Sequence, residues 1–208
     1  MAEDLPGILV VLSGPMGVGK TTVANRLLEI GGYERSVSVT TRAPREGEVD
    51  GEDYHFISVE EFEKLRDANE LIEHAQVVGN WYGTPKQPLR EALKARKAYL
   101  LVIDVAGGEQ VRGKGYNSEL VFLAPPSKEE LVARLEGRGT ESQKQQTMRL
   151  QRADMEMEKA SEIYNHIVVN KDLDTCVEEV HELVLAARRK LKEKQDAGGS
   201  LVAPDQQH

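Results

Sequence analysis

Three features of the sequence predict an α/β fold, a parallel sheet core flanked by helices with a mixed α+β lobe inserted into it. Strand-like and helix-like segments alternate along most of the chain, as in strands joined by crossover helices. A Gly-rich turn separates the first apolar run from the first amphipathic segment. Between Ser38 and Gly83 the pattern changes to alternating polar and aromatic residues with many Gly and Asp, which marks an insertion with antiparallel character.

The elements follow in chain order. Ile8 to Leu12 is an apolar, β-branched run of strand length, and Thr21 to Ile30 repeats Val23, Leu27 and Leu28 at helical spacing. Inside the insertion, Ser58-x-x-Glu61 is a capping box that opens a helix over Val59 to Asp67. Leu100 to Ile103 and Leu120 to Leu123 are two further buried-strand segments, the second stopped by Pro125-Pro126, which cannot continue a ladder. Ser127-x-x-Glu130 and Thr175-x-x-Glu178 mark two more helix starts, with a strand at Ile167 to Val169 between them. From about Lys190 the chain is too polar to bury, so 191–208 is expected to be a disordered tail. The expected organisation is one domain over 1–190, with core segments 5–37, 85–125 and 160–190 and a lobe at 38–84.

Composition narrows the function. The 208 residues carry 35 Asp+Glu against 27 Lys+Arg, a net charge of −8, which speaks against a broad basic surface for nucleic acid and requires any phosphate site to be local. Cys176 is the single cysteine, so no internal disulfide framework or multi-Cys metal cluster exists, in keeping with a reducing compartment. No apolar run approaches the roughly 20 residues of a membrane helix, and the acidic start Met-Ala-Glu-Asp lacks the regions of a signal peptide. A soluble, cytoplasmic protein with no membrane, nucleic-acid or obligate protein partner is the expectation.

Gly14-Pro15-Met16-Gly17-Val18-Gly19-Lys20-Thr21 matches G-x-x-x-x-G-K-[ST] and stands where that motif works, between a strand and a helix. Its glycines let successive backbone N–H groups turn inward around an anion, and the helix N-terminus adds its positive dipole end. In that arrangement Lys20 reaches the β/γ-phosphates of a nucleoside triphosphate, the Thr21 hydroxyl ligates Mg²⁺, and Thr22 is expected, with Gly14 to Thr21, among the residues that bind ATP. Leu100-Leu-Val-Ile-Asp104 is an apolar strand ending in an acid, and it reads equally as a strand stop or as a group near Mg²⁺ or a second substrate. Asp104-Val-Ala-Gly107 also fits the D-x-x-G of GTPases, but Asn170-Lys-Asp-Leu173 has Leu where a guanine-reading N-K-x-D needs its acid.

The inserted lobe supplies a second set of polar groups. Arg42 and Arg45 lie three residues apart with Pro44 stiffening the backbone between them, a spacing that lets two forked donors converge on one dianion. Hydroxyls at Ser38, Tyr54 and Tyr82 can donate to the same anion. Taken alone, the arginines fit a solvated loop as well, and each Tyr fits a half-buried core position.

Together these residues resemble the guanylate kinase family from about Ile8 to Val184, most specifically at Ser38 to Phe56, Gly79 to Thr84 and Pro125 to Thr140. The resemblance implies transfer of the γ-phosphoryl of ATP to GMP with Mg²⁺, with dGMP left open as an acceptor. It implies that Ser38, Arg42, Arg45, Tyr54 and Tyr82 hold the GMP phosphate and that Glu73, Thr84 and Asp104 read the guanine. It further implies a small helical lid at about 137–155, whose Arg138 and Arg149 join Arg134 over the ATP phosphates. Lys20, Arg42, Arg138 and Arg149 would be the catalytic cations, and Asp104 a candidate second Mg²⁺ ligand beside Thr21. The chain departs from the family pattern at Val102, where many members have Asp, at Ala106, where Gln is usual, at Met16, where Ser is common, and at Trp81, where Tyr is frequent. A non-catalytic module that uses the same lobe to bind proteins is the alternative, and the intact Lys20, Thr21 and arginines speak against it. The acceptor is already an anion, since a phosphate monoester has its second pKa at about 6, so no general base is required and His55 and His74 are expected to be structural or exposed residues, not catalysts.

Overall fold

The computed structural model describes residues 4–136 and 143–199. In chain order the elements are β1 (Ile8–Ser13), α1 (Lys20–Ile30), β2 (Tyr33–Arg35), β3 (Val39–Thr40), β4 (His55–Phe56), α2 (Val59–Asp67), β5 (Leu71–Val77), β6 (Asn80–Pro85), α3 (Lys86–Lys94), β7 (Ala98–Val102), α4 (Val105–Gly113), β8 (Ser118–Ala124), α5 (Lys128–Glu136), α6 (Gln143–Ile163), β9 (His166–Val169) and α7 (Leu173–Asp196).

Five strands form one sheet in the order β2-β7-β1-β8-β9, with every pairing parallel. Strands buried on both faces read as near-continuous apolar runs, and all six residues of β1 are buried, five of them apolar with Ser13 at the polar end. Ile8, Val10 and Leu12 face Val23, Ala24 and Leu27 of α1 and Val177, Val180 and Val184 of α7. Leu9 and Val11 face the opposite layer, where Leu89, Val111 and Ile163 bring in α3, α4 and α6. The chain builds outward from β1 to β2, returns to β7, then crosses to β8 and β9. That reversal opens a crevice at the carboxyl ends of the central strands, the usual place for a ligand in an open α/β sheet.

The insertion is a second sheet in the order β4-β3-β6-β5, mixed in direction and covered by α2. Its small core is Val39, Phe62 and Leu71 with Trp81 stacked on Phe62 at 5.6 Å. The capping box at Ser58 is complete, with its side chain accepting from the Glu61 N–H and the Glu61 carboxylate accepting from the Ser58 N–H.

Four local features correct the sequence reading or go beyond it. Helices α3 and α4 and strand β2 carry no strong sequence signal. The last helix is capped by Asp172, whose carboxylate accepts from the Thr175 N–H at 2.9 Å and from its hydroxyl, so Thr175 lies inside the first turn. That helix also runs on to Asp196, past the expected start of the tail, because Leu191 still reaches the core and is only 8% exposed. Finally, Asp104-x-x-Gly107 is a helix cap: the Asp104 carboxylate accepts from the Gly107 N–H at 3.0 Å and opens α4.

Candidate active site

The phosphate loop joins β1 to α1 at the crevice. Gly14, Gly17 and Gly19 have φ of +146°, +86° and +101°, values that L side chains rarely adopt, and they turn the loop's N–H groups inward. A Cβ on Gly14 would overlap the Leu123 carbonyl of β8, so the close approach of the sheet independently demands glycine there. Val18 is fully buried and anchors the loop, whereas Met16, Thr21 and Thr22 are exposed on its rim. The Lys20 ammonium arches back over the loop and donates to the Gly14 and Pro15 carbonyls at 2.6 and 3.0 Å. Arg134, from α5, donates to the Val18 carbonyl at 3.4 Å and to the Asn170 carbonyl at 3.0 Å, which places it behind the loop.

In the lobe, Glu73 of β5 and Thr84 of β6 are brought together with Ser38. Thr84 is fully buried and donates to the Glu73 carboxylate at 2.7 Å, and the Ser38 and Thr84 hydroxyls are 3.2 Å apart. Since the one Thr84 proton goes to Glu73, Ser38 donates to Thr84. Glu73 is 7% exposed, and burial pushes its carboxyl above the usual carboxylate range; the Thr84 hydrogen bond and Lys114 pull it back, while Asp104 adds to the rise. Lys114 is held by the Leu71 and Ile72 carbonyls at 3.2 and 2.8 Å, and Gln110 pairs with both the N–H and the carbonyl of His74. Helix α4 thereby fixes the strand that carries Glu73.

Arg42 forms the second cluster. It donates to the Tyr82 hydroxyl at 3.2 Å and to Glu48 at 2.8 Å, and its guanidinium lies 5.7 Å from the Tyr54 ring centroid. Its side chain is 14% exposed, and the Glu48 hydrogen bond raises its already high pKa. Arg45 joins the cluster through its backbone N–H, which donates to Glu48 at 2.7 Å, and its side chain is exposed. Glu48 is therefore the residue that sequence reasoning missed. It sits among Glu46, Asp50, Glu52 and Asp53, and nothing in the pattern distinguishes it from them.

Asp104 stands at the crevice with one oxygen in the α4 cap and the other 3.1 Å from Arg152 of α6. Gly14, Met16, Lys20, Asp104 and Arg152 line a common cavity of about 450 Å³. Arg138 and the Arg149 side chain lie outside the described residues; the described part of the expected lid belongs to the single long helix α6. Val102 packs against the core layer shared by α1 and α7, and Ala106 is exposed on α4. His55 is exposed, while His74 packs edge-on against both members of the stacked Phe62–Trp81 pair, and burial lowers its pKa below the usual value.

A parallel sheet whose central strand feeds a Lys-bearing phosphate loop, facing a lobe with its own arginine and buried acid, defines a P-loop kinase. Solved structures agree: the chain superposes on a gluconokinase from Sinorhizobium meliloti with a TM-score of 0.52 at 18% identity, a likeness of fold alone, covering 91% of this chain and 98% of that one. A guanylate kinase from Anaplasma phagocytophilum matches at TM-score 0.70 and 35% identity, over 89% of this chain and 88% of that one. The guanylate kinase family model matches residues 7–187, and curated guanylate kinases from Paramagnetospirillum magneticum and Corynebacterium diphtheriae are 44% and 46% identical. They cover 94% and 90% of this chain, which spans 94% and 100% of theirs. The chain belongs to the guanylate kinase family. It is a nucleotide-binding transferase, a catalytic kinase of that family. Among the described residues, no helix is long and apolar enough to cross a membrane.

Proposed function

We propose that the chain moves the γ-phosphoryl of ATP to GMP through the two clusters described above, with the phosphate loop as donor site and the lobe as acceptor site. The observation that carries this reading is the buried Glu73–Thr84 pair. A carboxylate kept out of water by two β-strands has reason to exist where a ligand presents paired N–H donors, and guanine does so through N1–H and its 2-amino group. Arg42 with Tyr82, Tyr54 and Ser38 would take the GMP phosphate. For Thr84 to donate to guanine O6, its hydroxyl must turn away from Glu73.

The donor set fits Mg²⁺. Thr21 offers a hard oxygen ligand, and Asp104 would add the oxygen that now rests on Arg152, its other oxygen staying in the α4 cap; no group of three or more His, Cys, Asp or Glu among the described residues forms a dedicated metal cage. Mg²⁺ suits such a site because it keeps several waters and takes the rest of its shell from substrate phosphates. When bound, the ion would neutralise phosphate charge.

The chain's own part is positioning. Lys20 and the loop N–H groups would hold the donor phosphates, and Arg42 would align the acceptor against them, as a loose transition state requires. A coupled assay of ADP formation with GMP, AMP, UMP and CMP tests the reading. Turnover with GMP far above the other three is expected, and a negligible GMP-dependent rate would overturn it in favour of a non-catalytic binding module.

A further inference from the structure

We propose that Arg152 is a further substrate-contacting cation of the transfer cleft, an inference that rests on the phosphoryl-transfer reading above. Arg152 projects from α6 into the same 450 Å³ cavity as Gly14, Met16, Lys20 and Asp104. Two carboxylates hold its guanidinium there. One nitrogen donates to Asp104 at 3.1 Å and another to Glu156 at 2.8 Å.

The pair with Asp104 has little structural reason to exist. The Arg152 and Asp104 side chains are 61% and 41% exposed, and so wet an ion pair contributes little to stability. Asp104 already serves α4 through its other oxygen, which caps Gly107. A guanidinium resting on carboxylates at the wet rim of a phosphate cleft can exchange those oxygens for phosphate oxygens, because its planar fork fits both. Lys20 supplies positive charge from the core side of the cavity, and Arg152 supplies it from the α6 side. Two polyanionic substrates that must meet end to end need charge from more than one direction.

The test compares the full chain with Arg152→Ala, Arg152→Lys and Arg152→Met. Three quantities are measured: kcat with saturating ATP and GMP, calorimetric affinity for adenosine and guanosine joined by a five-phosphate bridge, and calorimetric affinity for guanosine. Arg152→Ala and Arg152→Met should lower kcat and bridged-ligand affinity by about tenfold to a hundredfold. Guanosine affinity and Tm should stay as in the wild type. Arg152→Lys should recover part of the bridged-ligand affinity, since charge returns without the fork. Retention of both kcat and bridged-ligand affinity within threefold would overturn the assignment. Equal losses for guanosine and the bridged ligand would also overturn it, because Arg152 would then act only through Asp104. Should Arg152→Ala fail to fold, Arg152→Met and Arg152→Lys carry the same comparison. A wild-type chain without GMP-dependent turnover would refute the transfer reading, and bridged-ligand binding would still report on Arg152.

Discussion

Replacing Glu73 with Gln is the sharpest test of how the lobe would recognise a base. The side chain keeps its volume and its place between β5 and β6 but loses its charge, and one acceptor oxygen becomes an NH₂ donor. No solvent is at hand to absorb the change: Glu73 is 7% exposed, Thr84 is fully buried, and a Cβ placed on Gly107 would come within 3.2 Å of the second carboxylate oxygen. Whichever way the amide turns, a donor faces either Thr84 or the guanine. Two charge-assisted hydrogen bonds to guanine are at stake, each about 1.5–3 kcal/mol, so their loss amounts to about two to four orders of magnitude in kcat/KM for GMP. Adenine presents a bare N1 lone pair to the carboxylate, and its kcat/KM should fall much less or rise. Both constants are measured at saturating ATP in the coupled assay. If Glu73→Gln keeps the wild-type ratio of GMP to AMP, Glu73 does not read the base and the role passes to Asp104.

Lys20→Ala should lower kcat by about a hundredfold or more while leaving GMP affinity nearly intact, because its ammonium is already bent over the loop; a mutant within a few-fold of wild type would refute the role. Arg42→Lys should erase most of the advantage of GMP over guanosine in calorimetric binding, since an ammonium cannot serve Tyr82, Glu48 and a phosphate together. Guanosine binding should weaken as pH falls, beginning above the usual Glu value of 4.5, because burial raises the Glu73 pKa and binding needs the ionised form. The same shift means that the folded chain holds this proton more tightly than the unfolded one. Its contribution to stability therefore declines as pH rises from 4.5 through the raised pKa. Guanosine carries no phosphate to titrate, so Glu73→Gln should bind it weakly with a flat pH profile, and a wild-type profile equally flat would exclude the carboxylate.

The parts of the fold that announce themselves in sequence are those whose physics is local. The β1–loop–α1 unit is legible because burial on both faces makes β1 apolar from Ile8 to Leu12 and positive φ makes the loop glycine-rich. Helix α4 is hidden because Gly107 and Gly108 read as a turn. Three-dimensional neighbours require them: a Cβ on Gly108 would overlap the Tyr164 hydroxyl, and one on Gly107 would press on Ile103 and Glu73. Helix α3 follows β6 with no intervening loop, and its cap position is Pro85, which offers no side-chain acceptor. In the lobe, Arg42 is legible as a cation near tyrosines, whereas its partner Glu48 is one acid among five and is chosen only by the fold of the turn between Arg45 and Glu48. Arg152 is equally silent, since a long charged helix places many such residues on solvated faces.

Asn170 shows how the phosphate loop is held from behind. A loop that turns its N–H groups inward must turn carbonyls outward, and each of those needs a donor of its own. Lys20 serves Gly14 and Pro15 from the front. At the back, the buried Asn170 amide donates to the Val18 carbonyl at 2.8 Å, its backbone N–H donates to Ala124 at 2.8 Å, and its own carbonyl accepts from Arg134 at 3.0 Å. The residue that would read a base in an N-K-x-D pattern is here committed to the backbone, which removes the remaining ground for a GTPase reading. Gly19 belongs to the same arrangement, because a Cβ there would lie 2.6 Å from the Asn170 amide nitrogen. Glycine at that position thus supplies the left-handed turn that opens α1 and also the space through which β9 reaches the loop. Arg134, with its fork on Val18 and Asn170, belongs to this support, and any contact it makes with ATP must be made from that anchored position.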